Sequence, residues 1–203
     1  MSKRTGVVLL PLLLLLTNAT PAFAHSPIMG IGGVVGGILH ALLILEHGLS
    51  LLALGLALGQ WEQSARRAGI TIFAVAPACG LVAAAFALAE SLAADVLLGA
   101  TGILGLLVVT MWTPTYLVWS LAAIAGLTIG LDSRPEVASN EEAIRMLLGS
   151  GLGAAVSLTI VAEVSFLLRS NAQRIVARVM GSWITAIAIL VLSLRIVTQM
   201  TVG

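Results

Sequence analysis

Long continuous apolar runs, not alternating ones, organise this chain. After a short run at 7–16, apolar stretches occupy 28–59, 70–89, 94–112, 115–131, 146–168 and 180–198. Most approach the ~20 residues that a helix needs to cross the hydrocarbon core of a bilayer. In lipid the backbone must satisfy its own hydrogen bonds, so each run is predicted to be helical. The alternating segments of about ten residues that mark a membrane β-strand are not seen. The first of the six runs is the longest and is expected to begin at the surface or to cross with strong tilt. The expected fold is all-α: a polytopic membrane bundle of six transmembrane helices.

Composition agrees. Of 203 residues, 59% are hydrophobic and only 9% charged, too few charges to cover a soluble domain of this size. The run at 7–16, "VVLLPLLLLL", is short for a crossing and is interrupted by Pro11. Lys3 and Arg4 precede it and Ala22-Phe23-Ala24 follows, which is the anatomy of a secretory signal. Residues 1–24 are therefore expected to be a cleaved signal peptide and 25–203 the six-helix domain, an uncleaved anchor being the alternative. Cleavage would place His25 at the new N-terminus. It would also remove two of the ten basic residues, leaving eight against nine acidic ones, a net charge of −1. Neither that value nor the +1 of the full chain suggests nucleic acid.

Charge between the runs predicts orientation. Arg66 and Arg67 follow the first run, and Arg169, Arg174 and Arg178 follow the fifth, so both loops are expected in the cytoplasm. The opposite loops carry Glu90 and Asp95, and Asp132, Glu136, Glu141 and Glu142 against Arg134 and Arg145. Trp61, Trp112, Tyr116 and Trp183 fall near the expected cytoplasmic ends, as interfacial aromatics do. Both mature termini are then outside, across a bacterial inner membrane. Glycines four apart, Gly32/Gly36 and Gly33/Gly37 in the first run and Gly149/Gly153 in the fifth, predict close helix packing. Such faces serve neighbours within the chain, or else a second copy or a membrane-complex partner. The single cysteine, Cys79, lies in an apolar run beside Pro77 and excludes a disulfide framework within the chain. It reads as packing near a kink.

Ionisable groups inside a membrane are costly, and that makes them the most informative residues here. The first run carries His40, Glu46 and His47. On a straight helix His47 stands about 18 Å above Gly59 and His40 about 28 Å. Seven residues return to within about 20° of the same face, so the two imidazoles align, about 10 Å apart. That spacing predicts successive stations on a path, not a shared chelate. Glu46 points about 100° away from His47. Glu90 ends the second run at the level of His40, and Glu163 lies about 9 Å inside the opposite boundary. A route is thus expected from His25, His40 and Glu90 through His47 and Glu46 to Glu163. Imidazole with carboxylate suits a divalent transition metal better than calcium or magnesium. Interhelical hydrogen bonds by the histidines, and an arginine pair for Glu163, are the plainer readings of the same residues.

The stretch "HALLILEHGLSLLALGLALG" at 40–59 resembles the first helix of the HupE/UreJ family of hydrogenase and urease accessory membrane proteins. The family's motif is close to H-P-x-x-G-x-D-H, and His40, Glu46 and His47 stand on its His, Asp and His positions. Ala41 replaces its Pro, Ile44 its Gly and Glu46 its Asp. "ESLAADVLLGATGILGLL", from Glu90, is similar to the family's glutamate before an Ala-rich third helix. The histidine-rich stretch that many members carry between helices four and five is replaced by "GLDSRPEVASNEEA". The resemblance implies nickel or cobalt uptake that serves metalloenzyme maturation.

Three functions follow from these features. The first is a secondary permease or channel for a divalent transition metal, since no G-x-x-x-x-G-K-[ST] phosphate loop is present. The second is a non-transporting membrane subunit or assembly anchor, held to a partner through its Gly-rich faces. An intramembrane enzyme is disfavoured, because H-E-x-x-H is absent and Glu46-His47 is a different arrangement.

Overall fold

The computed structural model describes residues 31–85, 90–133, 139–168 and 170–202. The expected signal peptide, its cleavage site and His25 lie outside those residues. Among the described residues there are seven helices: α1 Gly33–Leu43, α2 Leu45–Leu58, α3 Gln63–Ala85, α4 Glu90–Thr110, α5 Thr115–Asp132, α6 Asn140–Phe166 and α7 Asn171–Val202. No strand occurs among the described residues.

Five of these, α3 to α7, are long and apolar enough to cross a membrane. The pair α1 and α2 passes that test only jointly, bent by 73°, so the count among the described residues is five or six. The expectation of one continuous helix across 28–59 is therefore corrected. Ile44 takes extended angles (φ −69°, ψ 120°) and ends one helix while opening the next. A β-branched residue accepts that conformation readily. It offers no side-chain cap, so the first N–H groups of α2 lack the partner that Ser, Asp or Asn would give.

Other helices extend beyond the apolar runs at their N-terminal ends. α3 begins at Gln63, not 70, and α7 at Asn171, not 180. α6 begins at Asn140, not 146, because Ser139 accepts a hydrogen bond from the Glu142 N–H at 3.2 Å, a Ser-x-x-Glu cap.

The helices pack in pairs, α1 on α6, α3 on α5 and α4 on α7, around α2. Nine of the fourteen residues of α2 are buried, from His47 to Leu58. Glycine makes the pairing possible. A Cβ at Gly37 would collide with the Met146 carbonyl, and one at Gly149 with the backbone of Val34. Gly126 and Gly130 admit the Pro77 turn of α3 in the same way, and Gly105 and Gly181 bring α4 against α7. Gly37, Gly149 and Gly153 of the first and fifth runs are thus occupied inside one chain, whereas Gly33 faces open space. Cys79 is exposed, so it does not share in the packing expected of it. Outward positions are apolar along whole helices, with Ile144, Leu148, Leu152, Val156 and Ile160 on α6 and Leu190, Leu194 and Val197 on α7. Lipid, not water, suits such faces.

Candidate functional site

The two ends of the bundle differ in chemistry. At one end lie the α2–α3, α4–α5 and α6–α7 connections. There the Trp61 indole donates to the carbonyl and hydroxyl of Thr113, both at 3.0 Å, and Trp119 donates to the Ala65 carbonyl at 3.2 Å. Arg66, 2% exposed, donates through Nε and Nη2 to the two oxygens of Glu163, each at 2.9 Å. Its Nη1 reaches the Trp61 carbonyl at 3.0 Å, and its guanidinium lies 4.1 Å from the centre of the Phe166 ring. Glu163, expected either on a path or in an arginine pair, is one half of this fork, at the opposite end of α6 from Ser139. Trp112, Tyr116 and Trp183 are exposed near the same end, where an aromatic belt would meet the headgroups.

The other end holds the histidines. On a straight helix they stand about 10 Å apart, too far to share an ion. The break at Ile44 overturns that: the imidazole centroids of His40 and His47 are 6.1 Å apart, edge to face at 72°. At that separation both rings come within reach of one ion, since each nitrogen needs about 2 Å to the metal. Successive stations along one axis are therefore replaced by a corner.

His47 is 1% exposed, and neither of its ring nitrogens makes a hydrogen bond. Nε2 lies 3.1 Å from Oδ2 of Asp132, a charge contact without hydrogen-bond alignment. One turn further along α2, the Ser50 hydroxyl is fully buried and also lacks a partner. Burying a polar group without a hydrogen bond costs about 1–3 kcal/mol, and two such side chains, His47 and Ser50, lie one turn apart on α2. Ser133, next to Asp132, donates to the Ile129 carbonyl at 2.6 Å and lies 3.4 Å from the Ser150 hydroxyl of α6.

Glu46 turns away from the histidines, as its 100° offset predicts. Its Oε1 is 3.7 Å from Nη1 of Arg195 on α7, and Arg195 Nε donates to Oδ1 of Asp95 on α4 at 2.8 Å. Glu90 is the first residue of α4, and its side chain lies outside what is described, as does His25. Among the described residues, no three or more His, Cys, Asp or Glu side chains form a metal-holding group.

Asp132, Asp95 and Arg195 were not among the expected site residues. Asp132 and Asp95 read as loop acids, yet Asp132 is the last residue of α5 and Asp95 lies in the second turn of α4. Arg195 is the one charge within the run 180–198, and that isolation was its signal.

The family model described as HupE / UreJ protein matches residues 12–191, most of the chain. No curated protein and no solved structure matches it.

Proposed function

This chain belongs to the HupE/UreJ family, and from that premise we propose that it is a secondary permease or channel for a divalent transition metal, nickel or cobalt. The observation that carries the reading is His47: an imidazole buried in a membrane bundle, with neither nitrogen hydrogen-bonded and a carboxylate 3.1 Å from Nε2. Such a group is costly to keep unless a cation visits it. His40 and Asp132 would supply further nitrogen and oxygen donors, a mixture that favours nickel or cobalt over calcium. The broken span supports the same reading. A helix interrupted inside a bundle leaves backbone carbonyls at the end of its first half, and these suit a cation in passage.

In this proposal the bent α1–α2 pair is one crossing, giving six. The leader is removed, both mature termini face outward, and the arginine end faces the cytoplasm of a bacterial inner membrane. The cargo would enter at the acidic end, meet His40 and His47, and leave past the Arg66–Glu163 fork.

Accumulation of radioactive nickel by cells expressing the chain tests this. H40A/H47A is expected to bring accumulation to the level of cells lacking the protein. Undiminished uptake in the double variant would overturn it. The second reading, a membrane subunit that anchors a partner, draws support from the lack of a three-ligand group among the described residues. It predicts a stable co-purifying protein and indifference to both histidine substitutions.

A further inference from the structure

We propose that the Arg195 guanidinium is a tethered stand-in for the incoming cation, occupying a second carboxylate station, Glu46 with Asp95, from which the metal displaces it. The inference rests on the permease reading and adds to it a station, a competitor and a moving helix.

Three observations carry it. The first is geometric. Arg195 reaches from α7 to carboxylates on two other helices, at 2.8 Å to Asp95 and 3.7 Å to Glu46. Asp95 is doubly engaged, since Gln199 Nε2 also donates to its Oδ2 at 3.4 Å. Glu46 is held loosely. It is the carboxylate most easily handed to another cation.

The second is charge. Glu46, Asp95 and Asp132 bring three carboxylates to the acidic end of the bundle. Among the described residues the arginines at that end are Arg195 and Arg145, and Arg145 is exposed and pairs with Glu141. One guanidinium shared by Glu46 and Asp95 leaves that described pair one negative charge over, and a low-dielectric surround amplifies its pull on a divalent cation. Acidic residues alone would not define a station. Here the residue after Glu46 is His47, buried with neither ring nitrogen hydrogen-bonded, so this second station lies one residue from the imidazole that the permease reading uses.

The third is the position of α7. Its crossing segment is among the least buried of the candidate spans. It is held to α4 through the Gly105–Gly181 contact and the Thr185 hydroxyl, which donates to the Gly102 carbonyl at 3.3 Å. Arg195 is the ionic tie from α7 to α2 and α4. When a cation takes Glu46 and Asp95, that tie opens and the outer part of α7 is released from the helix that carries the histidines. The exchange is one cation for another and needs no chemical step.

A competitor within the chain lowers apparent affinity by the fraction of sites it fills. Removing it must therefore tighten binding, whereas ordinary structural damage would loosen it. The test is Co2+ titration by calorimetry of the detergent-purified full chain. R195Q is expected to bind at least about fivefold more tightly than the parent. R195K, which keeps the charge, should stay within about twofold. D95N leaves Arg195 to Glu46 alone and should weaken binding at least about fivefold. Unchanged or weaker binding by folded R195Q overturns the proposal. If R195Q does not fold, unchanged or tighter binding by D95N overturns it instead. A parent protein that binds no Co2+ overturns both the stand-in and the permease reading. A parent that binds, with H47A reducing the affinity and R195Q leaving it unaltered, removes the stand-in alone.

Discussion

Glu46 and His47 are neighbours in sequence but serve different helices: His47 faces Asp132 at the end of α5, and Glu46 faces Arg195 on α7. This divergence follows from the 100° that separates successive helical residues. It gives the first turn of α2 contact with two charged groups at once.

Replacing His47 by Leu separates function from stability. The imidazole contributes no hydrogen bond to the fold, and a buried polar group without a partner costs about 1–3 kcal/mol. H47L is therefore expected to melt no lower than the parent, by scanning fluorimetry in detergent, while losing Co2+ binding. A fall in melting temperature of more than about 5 °C, several times what a neutral core swap produces, would count against this account.

Asp132 is expected to act through charge. D132N keeps size and hydrogen-bonding capacity but removes the anion 3.1 Å from Nε2. It should weaken Co2+ binding by about tenfold or more, in line with a lost charge contact in a partly desolvated site. Equal affinities for the two proteins would show Asp132 to be a helix-end residue only.

Two glycines on one helix pair predict opposite outcomes. G37A drives a methyl into the Met146 backbone, where nothing flexible can yield, and overpacking of that kind costs about 1–3 kcal/mol or more. At Gly151 an added Cβ meets nothing within 4 Å, and G151A should change stability by no more than about 0.5 kcal/mol or gain slightly from helix propensity. Retention of folded protein on heating, by size exclusion, separates them.

The Arg66–Glu163 fork is asymmetric, because Arg66 is buried and the Glu163 side chain is nearly half exposed. E163Q leaves a buried guanidinium with weakened compensation. A cost of about 1–3 kcal/mol is expected, below the value for a fully buried pair because solvent screens Glu163. R66M/E163L should be more stable than E163Q, since removing both charges avoids the stranded one. A double variant no more stable than E163Q would contradict the assignment. Co2+ affinity at the other end should be unchanged in either protein.

The helical, lipid-facing architecture was legible from run length and from the scarcity of charge, and the glycine spacing foretold close packing in α1 and α6 but not that the two pack on each other. The bend was not. Ile44 sits within an unbroken apolar run, and nothing in "HALLILEH" distinguishes a straight helix from a broken one, since Ile tolerates both conformations. With the bend unseen, His40 and His47 fell on separate levels, and the corner they form was invisible. Asp132 was hidden by its position at the edge of a run, where helix end and loop read alike. An arginine pair for Glu163 was legible as a possibility, but its partner Arg66 is 97 residues away in sequence, a pairing that local spacing cannot encode.

The interlock of Gly37 with Met146 and of Gly149 with Val34 leaves no gap for one backbone to slide past the other. Any rearrangement must therefore carry α1 and α6 together as a single plank. Gly55 of α2 and its C-cap Gly59 sit closely against Val161 and Ser165 of α6, so α2 belongs to the same unit. A pair of spin labels on α1 and α6 should keep a constant separation throughout a transport cycle, a fixed ruler against which the travel of α7 can be measured.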